Sequence, residues 1–130
     1  MQVYIKVSTL EQLASVIDYL RTQLQQWKIS EEKQMDIRLC LMEAVQNGLL
    51  YGTPEGGQRA EVRVSWQCSQ QGFVFTVEDD GPGVPQELRN SNWDNLLLEE
   101  HGRGILLMQT LLDEVRFNEK GNQITGRINW

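Results

Sequence analysis

The sequence contains 130 residues, which suits one domain with a core of moderate size. Twelve basic and 18 acidic residues give a formal net charge of −6, which argues against binding to nucleic acid. The chain has no signal-like beginning and no apolar run near the roughly 20 residues that span a bilayer. Cys40, Cys68 and the single histidine, His101, do not have the spacing of a zinc site. We therefore expect a cytoplasmic protein that binds neither nucleic acid nor a membrane.

The first half of the chain has the pattern of one strand followed by two helices. Alternating apolar residues over 2–7 predict a half-buried strand. Residues 8–11 have the form of a capping box, and the apolar spacing after them predicts a helix over about residues 9–27. Ser30 is the expected N-cap of a second helix, which runs to about Tyr51. The side chains expected to be buried on this helix are Met35, Leu39, Met42, Val45 and Leu49.

The second half has the pattern of two hairpins with a helix between them. Alternation over residues 60–67 and 73–77 predicts an antiparallel hairpin. A helix is expected to start near Arg103, and a turn over 119–122 is expected to join the last two strands. The polar composition of residues 85–101 predicts a loop. The whole order predicts one α/β domain over residues 1–130, a two-layer sandwich with helices on one face of a mixed, mostly antiparallel sheet.

The first of three motifs surrounds Asp79, which follows an alternating run and is expected at the C-terminal end of a strand. A buried carboxylate there can accept a hydrogen bond from an amine. Gly81 and Gly83 lack a Cβ, so the backbone can turn sharply and a planar ring can approach closely. Taken alone, such a segment is more often a plain surface turn.

The other two motifs lie on predicted helices. Gly102 and Gly104 precede an apolar run and can place free N–H groups at a helix N-terminus, where phosphate is favoured. Glu43 and Asn47 are four residues apart and share one face of the second helix, at the margin of its buried side. A solvated polar face is the alternative explanation for that pair, and a helix start without a ligand is the alternative for the glycines. The occurrence of all three motifs in one chain favours a nucleotide site.

In the order and spacing of these motifs, the sequence resembles the GHKL (histidine kinase-like) ATPase superfamily, and the resemblance covers nearly the whole chain. The run Gly-Arg-Gly-Ile-Leu-Leu-Met at residues 102–108, followed by Leu-Asp-Glu-Val at 112–115, resembles the branch of anti-sigma-factor serine/threonine kinases. The resemblance implies the Bergerat fold, ATP and Mg²⁺ as ligands, and an ATP lid at about residues 85–101.

The resemblance also implies a role for individual residues. Asn47 would be the Mg²⁺ ligand, Glu43 would be the general base for the incoming hydroxyl, and Asp79 would recognise the adenine amine. The Gly102–Gly104 backbone and the Arg103 side chain would hold the phosphates. The full set of implied nucleotide contacts is Asn47, Asp79, Gly81, Gly83, Gly102, Arg103 and Gly104.

The sequence departs from this family pattern at several positions. Tyr51 stands where a histidine is common in the anti-sigma branch. Asn122 stands where a threonine is expected to help hold adenine, and Thr125 is a candidate replacement. Between Arg89 and Arg103 there is no lysine or arginine that could contact a γ-phosphate. These departures concern the predicted phosphate transfer more than the predicted nucleotide binding.

The favoured function is that of a kinase that phosphorylates a serine or threonine of a STAS-type antagonist protein and thereby regulates a sigma factor. The alternative is a non-catalytic module that sequesters its partner and responds to nucleotide. A histidine-kinase catalytic domain is disfavoured, since no segment carries a phosphoacceptor histidine for it. The far end of the first helix could also support contacts in a homodimer.

Overall fold

The computed structural model describes residues 2–53, 60–89 and 102–130. Residues 90–101, which contain most of the predicted ATP lid, lie outside the described residues, so the lid stays a prediction. In chain order the elements are β1 (Gln2–Val7), α1 (Leu10–Leu24), α2 (Glu31–Tyr51), β2 (Val62–Cys68), β3 (Gly72–Glu78), α3 (Gln86–Arg89), α4 (Gly102–Leu111), β4 (Glu114–Phe117) and β5 (Gln123–Asn129).

The strands form one five-stranded sheet in the order β1-β2-β3-β5-β4. Its four pairings are all antiparallel, so the described sheet contains no parallel pair of the kind that a mixed sheet would have. Helices α1, α2 and α4 pack on one face, and alternate side chains of the strands form the core with them. The predicted two-layer α/β sandwich is confirmed. We call the other face, which carries Ser65, Thr76 and Thr125, the open face.

Both long helices begin with a side-chain cap. Thr9 caps α1, because its hydroxyl accepts the Gln12 N–H at 3.1 Å while Gln12 Oε1 accepts the Thr9 N–H at 3.2 Å. This capping box lies one residue later than the predicted one at residues 8–11. Ser30 caps α2 as predicted, with its hydroxyl 3.1 Å from the N–H of Lys33.

The buried face of α2 differs from the predicted one. Met35 is exposed and Leu39, Met42 and Leu49 are only half-buried. The residues that face the core are Ile37, Cys40, Leu41, Ala44, Val45, Asn47 and Gly48. Small residues are favoured here because the helix lies close to the sheet, and a Cβ at Gly48 would come within 2.9 Å of Val62 Cγ2. Val45 is buried as predicted, and Met42 and Leu49 pack against the core while remaining half-buried. The rest of the prediction was wrong, because the buried face is turned towards Ile37 and Leu41 and includes small residues, and the correction moves Asn47 from the margin into the buried face.

Candidate functional site

Asp79 follows directly after β3, as predicted, and its side chain lies on the inner, helix-covered side of the sheet. It is only 5% exposed, and its Oδ1 accepts a hydrogen bond of 2.8 Å from the N–H of Gly81. Burial raises the pKa of the Asp79 carboxyl above its usual value, while the Gly81 N–H opposes that rise by stabilising the ionised form. The arrangement leaves a buried carboxylate at a strand end, with one oxygen held by the loop that follows it.

The loop of the first glycine motif packs against the C-terminal end of α2. A Cβ at Gly81 would lie 2.5 Å from the Cα of Gly52, and one at Gly52 would lie 2.7 Å from Cγ of Asp79. Gly83 has φ = +92°, a left-handed conformation that glycine adopts at little cost. Sequence reasoning gave no role to Gly52. Its signal was present, since a glycine just after a helix often marks a close approach or a C-cap.

Glu43 lies on the side of α2 that faces α4. A Cβ at Gly104 would overlap Oε2 of Glu43, so the glycine leaves the space that the carboxylate occupies. Helix α4 begins at Gly102, so the prediction that the second glycine motif opens a helix is confirmed. The structure therefore brings the carboxylate of Glu43 to the first turn of α4, where backbone N–H groups have no partner within the helix.

Asn47 lies one turn after Glu43 on α2 and is 9% exposed. Its Nδ2 has no hydrogen-bond partner among the described residues. An unpaired buried amide costs free energy, so such a group in a native site usually meets a ligand or water. The NH₂ group of Asn47 is therefore available to donate to an acceptor on a bound ligand, whereas a metal ion would require its carboxamide oxygen.

Asn47 and Asp79 line the same cavity. Its other lining residues are Ala44, Gly48, Val77, Val84, Phe117, Gly121, Asn122, Gln123 and Ile124. The cavity encloses about 10 Å³, room for about one water molecule. A purine is larger than this, so a bound base would lie beside the cavity or widen it. The polar lining residues are Asn47, Asp79, Asn122 and Gln123, and the other cavity walls are apolar, as is typical of a site that recognises a flat ring by a few polar contacts.

The residues at which the sequence departs from the family pattern, and the candidate replacement Thr125, lie in different surroundings. Thr125 lies on the open face, where its hydroxyl is 3.4 Å from that of Thr76, so it does not take the place of the missing threonine. Asn122 lies in the cavity wall instead, and its Nδ2 donates to the backbone carbonyl of Asp79 at 2.6 Å. Tyr51 is half-buried and packs against the core at the end of α2.

Two arginines hold the surroundings of Asp79 in place. On the open face, Arg63 contacts both carboxylate oxygens of Asp80 at 3.1 Å and Oε1 of Glu78 at 2.7 Å. Arg89, in α3, donates from Nε to the carbonyl of Val84 and from a terminal nitrogen to that of Glu119, both at 2.9 Å. Sequence reasoning had named neither arginine as a support of the site, since each acts across the sheet or between distant loops.

The comparison with known proteins agrees with this geometry. A model of the histidine kinase-like ATPase domain matches residues 7–128. The chain belongs to this family. The anti-sigma F factor of Clostridium novyi (strain NT) is 32% identical over 90 residues, which are 65% of this chain. The chain spans 61% of the length of that curated relative. Membership in the ATPase family implies that the chain binds ATP.

The described residues contain neither a cluster of metal-ligating side chains nor a membrane-spanning helix. In the described ranges, no group of three or more His, Cys, Asp or Glu side chains could hold a metal by itself. Mg²⁺ commonly binds through one or two protein oxygens together with substrate phosphates and water, so its binding does not need such a group. In the same ranges, none of the helices is both long enough and apolar enough to cross a membrane.

Proposed function

We propose that the protein is a serine/threonine protein kinase of the anti-sigma-factor type, which uses ATP to phosphorylate an antagonist protein and so controls a sigma factor. The observation that carries this proposal is the contact between the Glu43 carboxylate and Gly104, at the first turn of α4. The 32% identical relative, named as an anti-sigma F factor, supports the choice of partner class. A STAS-type antagonist and a sigma factor are the partners that we propose.

The adenine end of the substrate is assigned to Asp79. Its carboxylate is buried and can accept a hydrogen bond from the exocyclic amine of adenine. Gly81 and Gly83 support this role indirectly, because the absence of a Cβ lets their loop pack against the backbone of Gly52 and Lys120. The phosphate end is assigned to the start of α4, where the N–H groups of residues 102–104 favour an anion. The Arg103 side chain would add positive charge in this role.

The transfer step is assigned to Glu43. Its carboxylate would accept the proton of a serine or threonine hydroxyl while that oxygen forms a bond to the γ-phosphorus and the bond to the ADP oxygen breaks. Asn47 would hold Mg²⁺ through its carboxamide oxygen. When bound, that ion would neutralise phosphate charge. The glycine at 104 keeps the Glu43 carboxylate free to face the incoming hydroxyl.

One observation favours the alternative of a sequestering module without catalysis. Arg89, the arginine nearest the start of the predicted lid, uses its guanidinium on the carbonyls of Val84 and Glu119. The sequence then has no lysine or arginine before Arg103, so few cations are available to a transferring phosphate. In that case nucleotide would control partner capture only.

The decisive experiment uses the unmutated protein, Mg²⁺, ATP labelled on its γ-phosphate and a panel of purified STAS-type antagonist proteins. A kinase is expected to transfer label to a serine or threonine of one antagonist. Capture of a sigma factor without transfer to any antagonist would reject the kinase in favour of the module. Absence of ATP binding would reject both functions.

A further inference from the structure

Two asparagines of the last hairpin support Asp79 from the side. Nδ2 of Asn122 donates to the carbonyl of Asp79 at 2.6 Å, and the N–H of Asp79 donates to the carbonyl of Asn122 at 2.9 Å. Nδ2 of Asn118 donates in turn to Oδ1 of Asn122 at 2.7 Å. We call this series of contacts, from Asn118 through Asn122 to the backbone of Asp79, the asparagine relay.

The direction of the relay is fixed by backbone groups at both ends. Oδ1 of Asn118 accepts the N–H groups of Gly121 at 2.8 Å and Gln123 at 3.1 Å. A backbone N–H can only donate, so the other end of the Asn118 carboxamide must be its NH₂ group, which points at Asn122. The carbonyl of Asp79 can only accept, so Asn122 must present its own NH₂ group there. Both carboxamide orientations therefore follow from the hydrogen bonds and not from an arbitrary choice of atom.

We propose that Asn122 is a positioning residue for base recognition, which acts through the asparagine relay to hold Asp79 where it accepts from an adenine amine. The proposal rests on the proposed function, in which Asp79 recognises adenine. The relay fixes the peptide group that follows Asp79, and the Gly81 N–H fixes its carboxylate. Together these contacts restrict both the backbone and the carboxylate of Asp79.

Selectivity between bases depends on the orientation of the Asp79 carboxylate. A fixed carboxylate attracts the exocyclic amine of adenine and repels the carbonyl oxygen that guanine carries at the same position of its ring. A carboxylate that is free to turn away loses this repulsion first. A threonine at position 122 would carry one hydroxyl, one bond nearer the backbone, in place of the separate donor and acceptor atoms that join the Asp79 carbonyl and Asn118 here. The asparagine is therefore a different solution to the support of Asp79 and not a loss of that support.

The test compares the ratio of ATP affinity to GTP affinity in the unmutated protein and in variants of the relay. Asn122→Asp keeps nearly the same shape but replaces the donor to the Asp79 carbonyl by an oxygen, while Asn122→Ala removes the whole carboxamide. Asn118→Asp keeps the acceptor for Gly121 and Gln123 but removes the donor to Asn122. Asn129→Asp is the matched control, since it adds the same charge to an exposed position at the far end of β5.

We expect the ATP-to-GTP ratio to fall by about 3–10-fold in both Asn122 variants, the effect of one neutral hydrogen bond. The ratio should fall less in Asn118→Asp and stay unchanged in Asn129→Asp. A general loss of stability would weaken both nucleotides alike, so the ratio separates positioning from mere structural support. If Asn122→Asp does not fold in thermal unfolding measurements, the ratio for Asn122→Ala decides.

An unchanged ratio in Asn122→Ala would overturn the inference while leaving the proposed function intact. Equal affinity of the unmutated protein for ATP and GTP would instead overturn the adenine role of Asp79, and the inference with it. The measurement on the unmutated protein thus distinguishes the two failures.

Discussion

Asp79 and Asp80 are neighbours in the chain, yet they lie in opposite surroundings. The side chain of Asp79 is buried on the inner side of the sheet, and burial raises the pKa of its carboxyl. The side chain of Asp80 is 67% exposed and is paired with Arg63, whose hydrogen bonds and charge lower the pKa of that carboxyl. Burial therefore favours the protonated form of Asp79, whereas Arg63 favours the ionised form of Asp80.

This difference separates binding groups from supporting groups. A buried carboxylate with few partners has free hydrogen-bonding capacity, and a ligand that supplies a donor can relieve the cost of its burial. An exposed carboxylate already bound to an arginine gains little from a further donor. Glu43 and Glu78 show the same contrast, since Glu43 faces Gly104 at the start of α4 whereas Glu78 is paired with Arg63 at 2.7 Å. Inner carboxylates are thus the expected functional ones.

The largest expected effect comes from the two glutamates. Glu43→Gln keeps the shape of the side chain but removes its basicity, so transfer to the antagonist should fall by about 10²–10⁴-fold while ATP affinity persists. Glu78→Gln is the control on the open face, and its transfer rate should stay close to that of the unmutated protein. Single-turnover phosphate incorporation measures both. Undiminished transfer by Glu43→Gln would remove the base role from this residue.

The next effect concerns the two aspartates and ATP affinity. Asp79→Asn should weaken ATP binding by roughly 10–100-fold, because a hydrogen bond to a charged group contributes about 1.5–3 kcal/mol. Asp80→Asn should change it by less than about threefold, since exposed ion pairs contribute little. Equilibrium titration with ATP in the presence of Mg²⁺ gives both values. Equal losses in the two variants would show that burial does not separate the roles of these carboxylates.

The same pair predicts opposite dependences of stability on pH in the nucleotide-free protein. The folded pKa of Asp79 is raised above its unfolded value of 3.8, so its favourable contribution is present below that value and is lost as pH rises through the folded pKa. Asp79→Asn should therefore raise the unfolding temperature by a few degrees at neutral pH, and this gain should disappear in acid.

The contribution of Asp80 to stability has the opposite dependence on pH. Its folded pKa is lowered, so its contribution is present above the unfolded value and is lost as pH falls through the folded pKa. Asp80→Asn should lower the unfolding temperature slightly at neutral pH and leave it unchanged in acid. Thermal unfolding of both variants from neutral to acidic pH tests the pair, and shifts of the same sign in both would contradict the contrast between the two sides of the sheet.

Local patterns in the sequence predicted a large part of the site. Glu43 and Asn47 could be assigned to one helix face because residues four apart always share it, and Asp79 could be assigned to a strand end because the alternation before it stops there. The start of α4 at Gly102 followed from an apolar run after two glycines. Each of these inferences needs only a few consecutive residues.

The parts that were missed depend on contacts between distant residues. Asn122 and Asp79 are 43 positions apart, and their contact exists only because β3 and β5 pair in one register. The small buried residues of α2, such as Gly48, were missed because helix-to-sheet distance is a tertiary property. Asn122 was therefore interpreted as the loss of a threonine, although its carboxamide donates to the backbone carbonyl of Asp79.

The smallest expected effect comes from Arg63, which holds Asp80 and Glu78 on the open face. Such a surface network contributes about 0–1 kcal/mol and is screened by salt. Arg63→Gln should therefore lower ATP affinity by less than about threefold at low salt, and the difference from the unmutated protein should vanish at high salt.

Lys6→Gln is the matched control for this variant, because Lys6 pairs with Glu61 at 3.7 Å on an exposed part of the same sheet without contact to the Asp79 loop. It should leave ATP affinity unchanged at any salt concentration. A tenfold or larger loss of ATP affinity in Arg63→Gln that persists at high salt would contradict the proposal that the inner carboxylates bind ligand and the open-face carboxylates only support them. High salt screens the charge of Asp80, so a loss that persists there would have to come from a change in the position of Asp79. The contacts of Arg63 on the open face would then position Asp79 as strongly as the contacts on the inner side do.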